Sequence, residues 1–187
     1  VDDFLFERFV EDWASIYLPM RHKREVNERF FVTDSYFSLV PMIEGTQPDK
    51  SPIVVVESSM EGRSDERFDY PSWTVYMLCR AQDMRDGRAA VHAKRIAKKC
   101  LFDLRNMMYA LKKGDATLSD VPMEEGSYLY QLREDALAGK PVLSHIDLDI
   151  DYDSLGILFD GWQGVTCTFS HVLPYNRCID TSEYSET

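Results

Sequence analysis

One apolar stripe sets the longest element before anything else does. Ala90, Ala93, Ala97, Cys100, Leu101, Leu104, Met108 and Leu111 recur at three- and four-residue steps, the spacing that lines one face of an amphipathic α-helix. Asp86 stands where a capping side chain belongs, and Gly114 where a left-handed residue ends a helix. The pattern predicts a helix over 88–113, roughly 39 Å long at 1.5 Å per residue. Its apolar side has to lie on another layer of structure.

The flanking segments supply that layer. Phe6, Phe9, Val10, Trp13 and Tyr17 predict a helix over 4–18, capped by Asp2 or Asp3, stopped by Pro19, with Glu7, Arg8, Glu11 and Asp12 on its outer side. The charged stretch 21–25 follows as exposed chain. Residues 30–40 are rich in aromatic and β-branched types and read as a strand ending at Pro41. The Gly- and Pro-bearing stretch 44–52 reads as a loop, 53–57 as a short strand and 58–71 as a polar hairpin loop. Trp73, Val75, Met77, Cys79 and Ala81 alternate with Ser72, Thr74, Tyr76, Leu78 and Arg80, a strong strand signal.

Residues 115–141 form a helical and loop insertion in which Leu129, Leu132 and Leu137 can pack. Strand pattern resumes over 146–153 and 155–159, turns at Asp160-Gly161, and continues over 165–172. The order predicts an α+β fold, a mostly antiparallel sheet with its helices on one side. One domain spans 1–173, and 174–187 form a polar C-terminal tail.

Composition narrows the function. The chain has 187 residues and a formal net charge of -11, which argues against non-specific nucleic-acid binding. No apolar run approaches the roughly 20 residues of a membrane-spanning helix. Val1-Asp2-Asp3 is acidic where a signal peptide is basic. Cys79, Cys100, Cys167 and Cys178 form no CxxC pair and fall largely in apolar patterns, as small buried hydrophobes do. His22, His92, His145 and His171 show no metal-ligand spacing, though His145 and His171 can fall on adjoining strands. No nucleophile elbow, zinc-protease or phosphate-loop motif occurs. The reading is of a protein that is not an enzyme and uses neither metal nor cofactor.

Charge is distributed unevenly. Residues 81–113 hold nine Lys or Arg against three Asp, and 114–187 hold three basic residues against fourteen acidic ones. A basic helix face at Lys94, Arg95, Lys98 and Lys99 and an acidic strand face at Asp147, Asp149, Asp151 and Asp153 favour head-to-tail docking of identical copies. Aromatic residues are not interleaved with the basic ones of the helix, which counts against nucleic acid there. Arg63, Arg67, Phe68 and Tyr70 in the polar loop suit a protein contact. The acidic strand leaves open a monomeric ligand- or metal-binding module, since clustered carboxylates suit a divalent cation.

An N-terminal helix at 4–18, strands with a protruding hairpin over 30–81, a long helix over 86–113 and closing strands over 143–172 resemble the tail-terminator (tail-completion) proteins of tailed bacteriophages. The resemblance implies a non-enzymatic virion protein of a phage or prophage. It would form a hexameric ring that caps the tail tube and joins tail to head. Its partners would be itself, a tail tube protein and a head-completion protein, with no specific nucleic-acid or membrane contact. It would be cytoplasmic in the host during assembly and then part of the virion. An acidic surface would suit a lumen that DNA passes without sticking. A head-tail connector subunit is the neighbouring alternative.

Overall fold

The structure, a computed structural model, describes residues 5–25, 29–44, 46, 50–58, 62–64, 68–83, 85–158 and 160–174. Among them the chain runs α1 (Phe6–Ile16), β1 (Phe30–Thr33), α2 (Tyr36–Glu44), β2 (Ile53–Glu57), β3 (Gly62–Ser64), β4 (Phe68–Arg80), α3 (Gly87–Lys113), a 3-10 turn (Ala116–Asp120), α4 (Tyr128–Leu137), β5 (Tyr152–Leu155), β6 (Trp162–Ser170) and β7 (Leu173–Pro174). The fold is α+β. The main sheet has the order β1-β2-β4-β6-β5, antiparallel except where β1 runs parallel to β2.

β4 organises the molecule. Its 13 residues extend over roughly 43 Å at about 3.3 Å each. Residues 72–80 pair with β6 and 74–78 with β2, while the first four residues run past the main sheet. There β3 lines one side of β4 and β7 the other. Within the segment predicted as a polar hairpin loop over 58–71, residues 62–64 and 68–71 are ladder, and Pro174, assigned to the tail, belongs to β7.

The predicted long helix is present with both its ends. Asp86 accepts the Arg88 N–H at 2.8 Å, and Gly114 takes φ 60°. Its stripe packs with α1 against Val54, Val56, Val75, Met77, Cys79, Val165, Cys167 and Phe169. Gly164 permits the β4–β6 approach, because a Cβ there would stand 1.9 Å from the Met77 carbonyl oxygen.

Several expectations are corrected. The stretch 30–40 is a strand only to Thr33. Tyr36–Glu44 is helical, and Pro41 sits inside α2 instead of ending a strand. Thr33 Oγ1 and Asp34 turn the chain through Ser35 and Ser38. Leu39 and Ile43, four residues apart, then bury against Ile53, Val55, Tyr76, Leu78 and Trp162 on the other sheet face. Burial outweighs local β propensity, and the helices cover both faces of the sheet rather than one. α1 begins after Leu5, with no side-chain cap; Asp2 and Asp3 lie outside the described residues. His22, placed in an exposed stretch, is buried, and the strand predicted over 155–159 ends at Leu155.

The insertion packs on the body through a residue assigned to the wrong side of α1. Asp12 is only 3% exposed. Its Oδ2 accepts the Leu129 N–H at 2.8 Å at the start of α4, and its Oδ1 pairs with Arg24. Ser127 caps the same helix, and Leu129 and Ala136 face the core, whereas Leu137 is exposed. Burying a carboxylate is tolerable only with such partners. Asp12→Ala is expected to lower stability by about 1–3 kcal/mol, read as a urea midpoint, with hydrogen exchange rising first over 128–137. A shift no larger than that of the exposed control Glu124→Ala would remove this account.

Candidate interaction surfaces

The outer side of α3 is built as a ladder of cations and rings. Lys98, Phe102, Arg105, Tyr109 and Lys113 follow one another at helical three- and four-residue steps. Lys98 Nζ lies 5.5 Å from the Phe102 ring centre, the Arg105 guanidinium 5.0 Å from that of Tyr109, and Lys113 Nζ 5.8 Å from the same ring. This corrects the expectation that aromatic and basic residues are not interleaved here. The rings are covered by the chain's own cations, and Tyr152 packs edge-on against Phe102 at 5.6 Å.

The acidic segment lies along this ladder. Lys112 Nζ donates to the Ile146 carbonyl at 2.8 Å, Arg105 Nε to the Leu148 carbonyl at 2.6 Å, and Lys98 to the Tyr152 hydroxyl. Arg105 also stands 3.5 Å from Asp149, whose Oδ1 accepts the Tyr109 hydroxyl at 3.4 Å. The basic helix and acidic segment, read as surfaces for docking two copies, therefore touch within one chain.

Nor is the acidic segment the strand expected. Ile146 bridges His171, and Tyr152 pairs with Cys167. Six steps along the segment thus match four along β6, and the two extra residues form a bulge. Asp147 Oδ1 takes up the slack by accepting the Asp149 N–H at 2.9 Å. The inside–outside alternation survives, with Ile146 and Leu148 buried and Asp147, Asp149, Asp151 and Asp153 exposed, but only Asp153 of the four carboxylates lies on a strand. Asp149 turns to Arg105 and Asp147 to its own backbone, so they do not converge on a common point.

Among the cations, Lys99 is joined to Asp103, which also accepts the Tyr17 hydroxyl at 2.6 Å. Burial first, then that bond, raises the Tyr17 phenol well above its ordinary value. Lys94 and Arg95, like Asp151 and Asp153, have no ion-pair partner among the described residues. Of the loop contacts, Arg67 lies outside the described residues. Arg63 pairs with Tyr70 in the β3–β4 ladder and Phe68 with Pro174, which puts Phe68 and Tyr70 at the start of β4 and Arg63 beside them on β3.

Among the described residues, two clefts carry polar groups. One of about 400 Å³ is lined by Ser51, Cys79, Arg80, Gln82, His92 and Ile96. Ser51 donates to Cys79 Sγ at 3.1 Å, and Arg80 is held by Asp160. Burial pushes the Cys79 thiol up despite that hydrogen bond, the reverse of what a nucleophile needs. The other, about 270 Å³, lies between α4 and the 141–146 segment, where His145 and His171 have ring centres 6.2 Å apart. Among the described residues no three His, Cys, Asp or Glu side chains are grouped to hold a metal ion, and no helix is long and apolar enough to cross a membrane.

The chain matches no family model and none of the curated proteins.

Two outcomes follow from these contacts. Arg105→Ala removes the clamp on the Leu148 carbonyl and the ring contact with Tyr109, at an expected cost of about 1–2 kcal/mol. Hydrogen exchange over 146–152 is expected to rise while that of β4 stays unchanged; equal rises in both would mean the clamp is not local. Burial also pushes the Cys100 thiol up to about 11 and that of Cys167 to about 12, from an ordinary 9.0. The unfolded chain loses these protons first, so their contribution to stability is full below pH 9 and falls away as the pH rises through about 11 to 12. In urea melts across this range Cys167→Ala is expected to show a shallower decline than the native chain. An identical slope would refute the assignment.

Proposed function

We propose that this chain is a non-enzymatic structural subunit that works by associating with copies of itself. In its specific form the reading is a tail-terminator-like protein of a phage or prophage. It caps the tail tube as a ring, meets a tail tube protein on one side and a head-completion protein on the other, assembles in the host cytoplasm and stays in the virion. The observation that carries the reading is where unpaired charge remains. Lys98, Lys99 and Arg105 are occupied within the subunit, whereas Lys94 and Arg95 on α3 and Asp151 and Asp153 beside β5 stay exposed or half-exposed without ionic partners among the described residues. Exposed charges of both signs favour a contact with a second copy, and where such contacts are head-to-tail they close into rings when the rotation permits. The first four residues of β4, which pair with β3 and β7 and not with the main sheet, support the reading too, as a ladder separate from the main sheet.

Reversing Lys94 and Arg95 to Glu is expected to dissociate the assembly, with stability changing by no more than about 0.5 kcal/mol. Light scattering at low and moderate salt, beside thermal melts of the same samples, checks both. An assembly of unchanged mass and unchanged salt dependence would sink the charge-docked contact.

A further inference from the structure

The cleft beside Cys79 has the build of a small-molecule site. Its volume of about 400 Å³ falls in the range of such sites, which set a few placed polar groups in mainly apolar walls. It opens between the sheet and the first turns of α3. Cys79 lies on the sheet side, Ala89, Ala93 and Ile96 on the helix side, and Pro52 ahead of β2. The two alanines leave the gap open, since a larger side chain at either would occupy it.

Its walls are held before any ligand arrives. Ser51 Oγ accepts the Arg80 N–H at 2.9 Å and donates to Cys79 Sγ at 3.1 Å. From behind, Arg29 donates to the Ser51 carbonyl at 2.8 Å. The Arg80 guanidinium is fixed as well, with Nε on the Asp160 carbonyl at 2.8 Å and Nη2 on the Asp160 carboxylate at 2.5 Å. A guanidinium has five N–H donors, so this pairing leaves Arg80 donors to spare. Groups already fixed lose little freedom on binding.

The lining also selects a sign of charge. The chain has a net charge of -11, yet no carboxylate lines the cleft; its basic groups are Arg80 and His92, with the Gln82 amide as a further donor. The acids at this end of the molecule are engaged elsewhere. Asp160 is taken up by Arg80, Asp83 accepts the Arg85 N–H and Asp86 the Arg88 N–H.

We infer that this cleft binds a small organic acid, its apolar body against Pro52, Ala93 and Ile96 and its carboxylate on Arg80 and His92. A wholly apolar ligand would displace water from these donors without replacing its hydrogen bonds, and a cationic one would meet Arg80. A carboxylate gains charge-assisted hydrogen bonds there. Lys94 and Arg95 do not line the cleft, so the site is independent of the proposed contact between copies.

The test uses the full chain with octanoate as the probe, and octanamide and octylamine as bodies of the same length without the negative charge. Octanoate is expected to raise the melting temperature in a saturable way and to bind at least about tenfold more tightly than either of the others in calorimetry. Its backbone amide shifts are expected to centre on Cys79, His92 and Ile96. Arg80→Gln is expected to abolish the preference for octanoate while octanamide binds as before, whereas a loss of structure alone would weaken both. Ala89→Phe, which fills the cleft, is expected to abolish binding of octanoate. The site is overturned if octanoate does not bind, if its shifts fall outside the cleft, or if Ala89→Phe binds it unchanged. Equal affinity for octanoate and octanamide, or an unchanged preference in Arg80→Gln, overturns the choice of an acid. Should Ala89→Phe melt early, the amide shifts and Arg80→Gln decide.

Discussion

Everything in this fold depends on β4 being apolar on both sides. Val75, Met77 and Cys79 face one way and Tyr76 and Leu78 the other, and all five are buried. A strand with that pattern needs a layer on each face. α3 and α1 supply one, and α2 supplies the other. Its neighbours β2 and β6 share the demand: Ile53 and Val55 lie under α2 while Val54 and Val56 lie under α1 and α3. The first four residues of β4 run past the main sheet, with β3 and β7 as their neighbours.

The second organising contact joins charge to backbone. Long cationic side chains on α3 reach carbonyl groups of the bulged segment 146–151, and Arg105 does so beside the Tyr109 ring. Arg105 alone meets the Leu148 carbonyl, the Asp149 carboxylate and the Tyr109 ring. The exposed ion pair contributes little; the hydrogen bond to an otherwise unpaired carbonyl contributes more. Seen this way, the uneven charge of the chain is first a means of fastening its own sheet edge.

How far the sequence could be read follows from the same physics. α3 was legible because 27 residues of unbroken periodicity carry their own caps, and β4 because its alternation has no competitor. The Lys98–Phe102–Arg105–Tyr109–Lys113 ladder was equally open to reading at helical spacing, but counting charge without rings hides it. α2 was not legible, because Tyr36–Val40 has the residue types of a strand and only the apolar surface of Ile53, Val55 and Leu78 makes a helix the better fit. The bulge was beyond reach as well. Alternation along 146–153 is that of a strand, and the two surplus residues appear only when β6 is counted beside it. Asp12 shows the limit from the other direction: a carboxylate on a helix reads as solvated until its capping partner, 117 residues away, is known.

Those failures concentrate where the molecule meets its surroundings. The interior follows local rules closely, whereas the bulged β5 edge, the α2 cover and the insertion all concern how a sheet ends or is covered. Free sheet edges are hazardous for any protein, and a chain with no use for contact would be expected to blunt both of its edges. Here one is blunted by a bulge and carboxylates and the other keeps its outward amides, with Val32 and Phe37 exposed nearby. With only four residues, though, β1 offers few such groups, and shortness is itself a way of blunting an edge, so the two ends of the sheet are managed by different means.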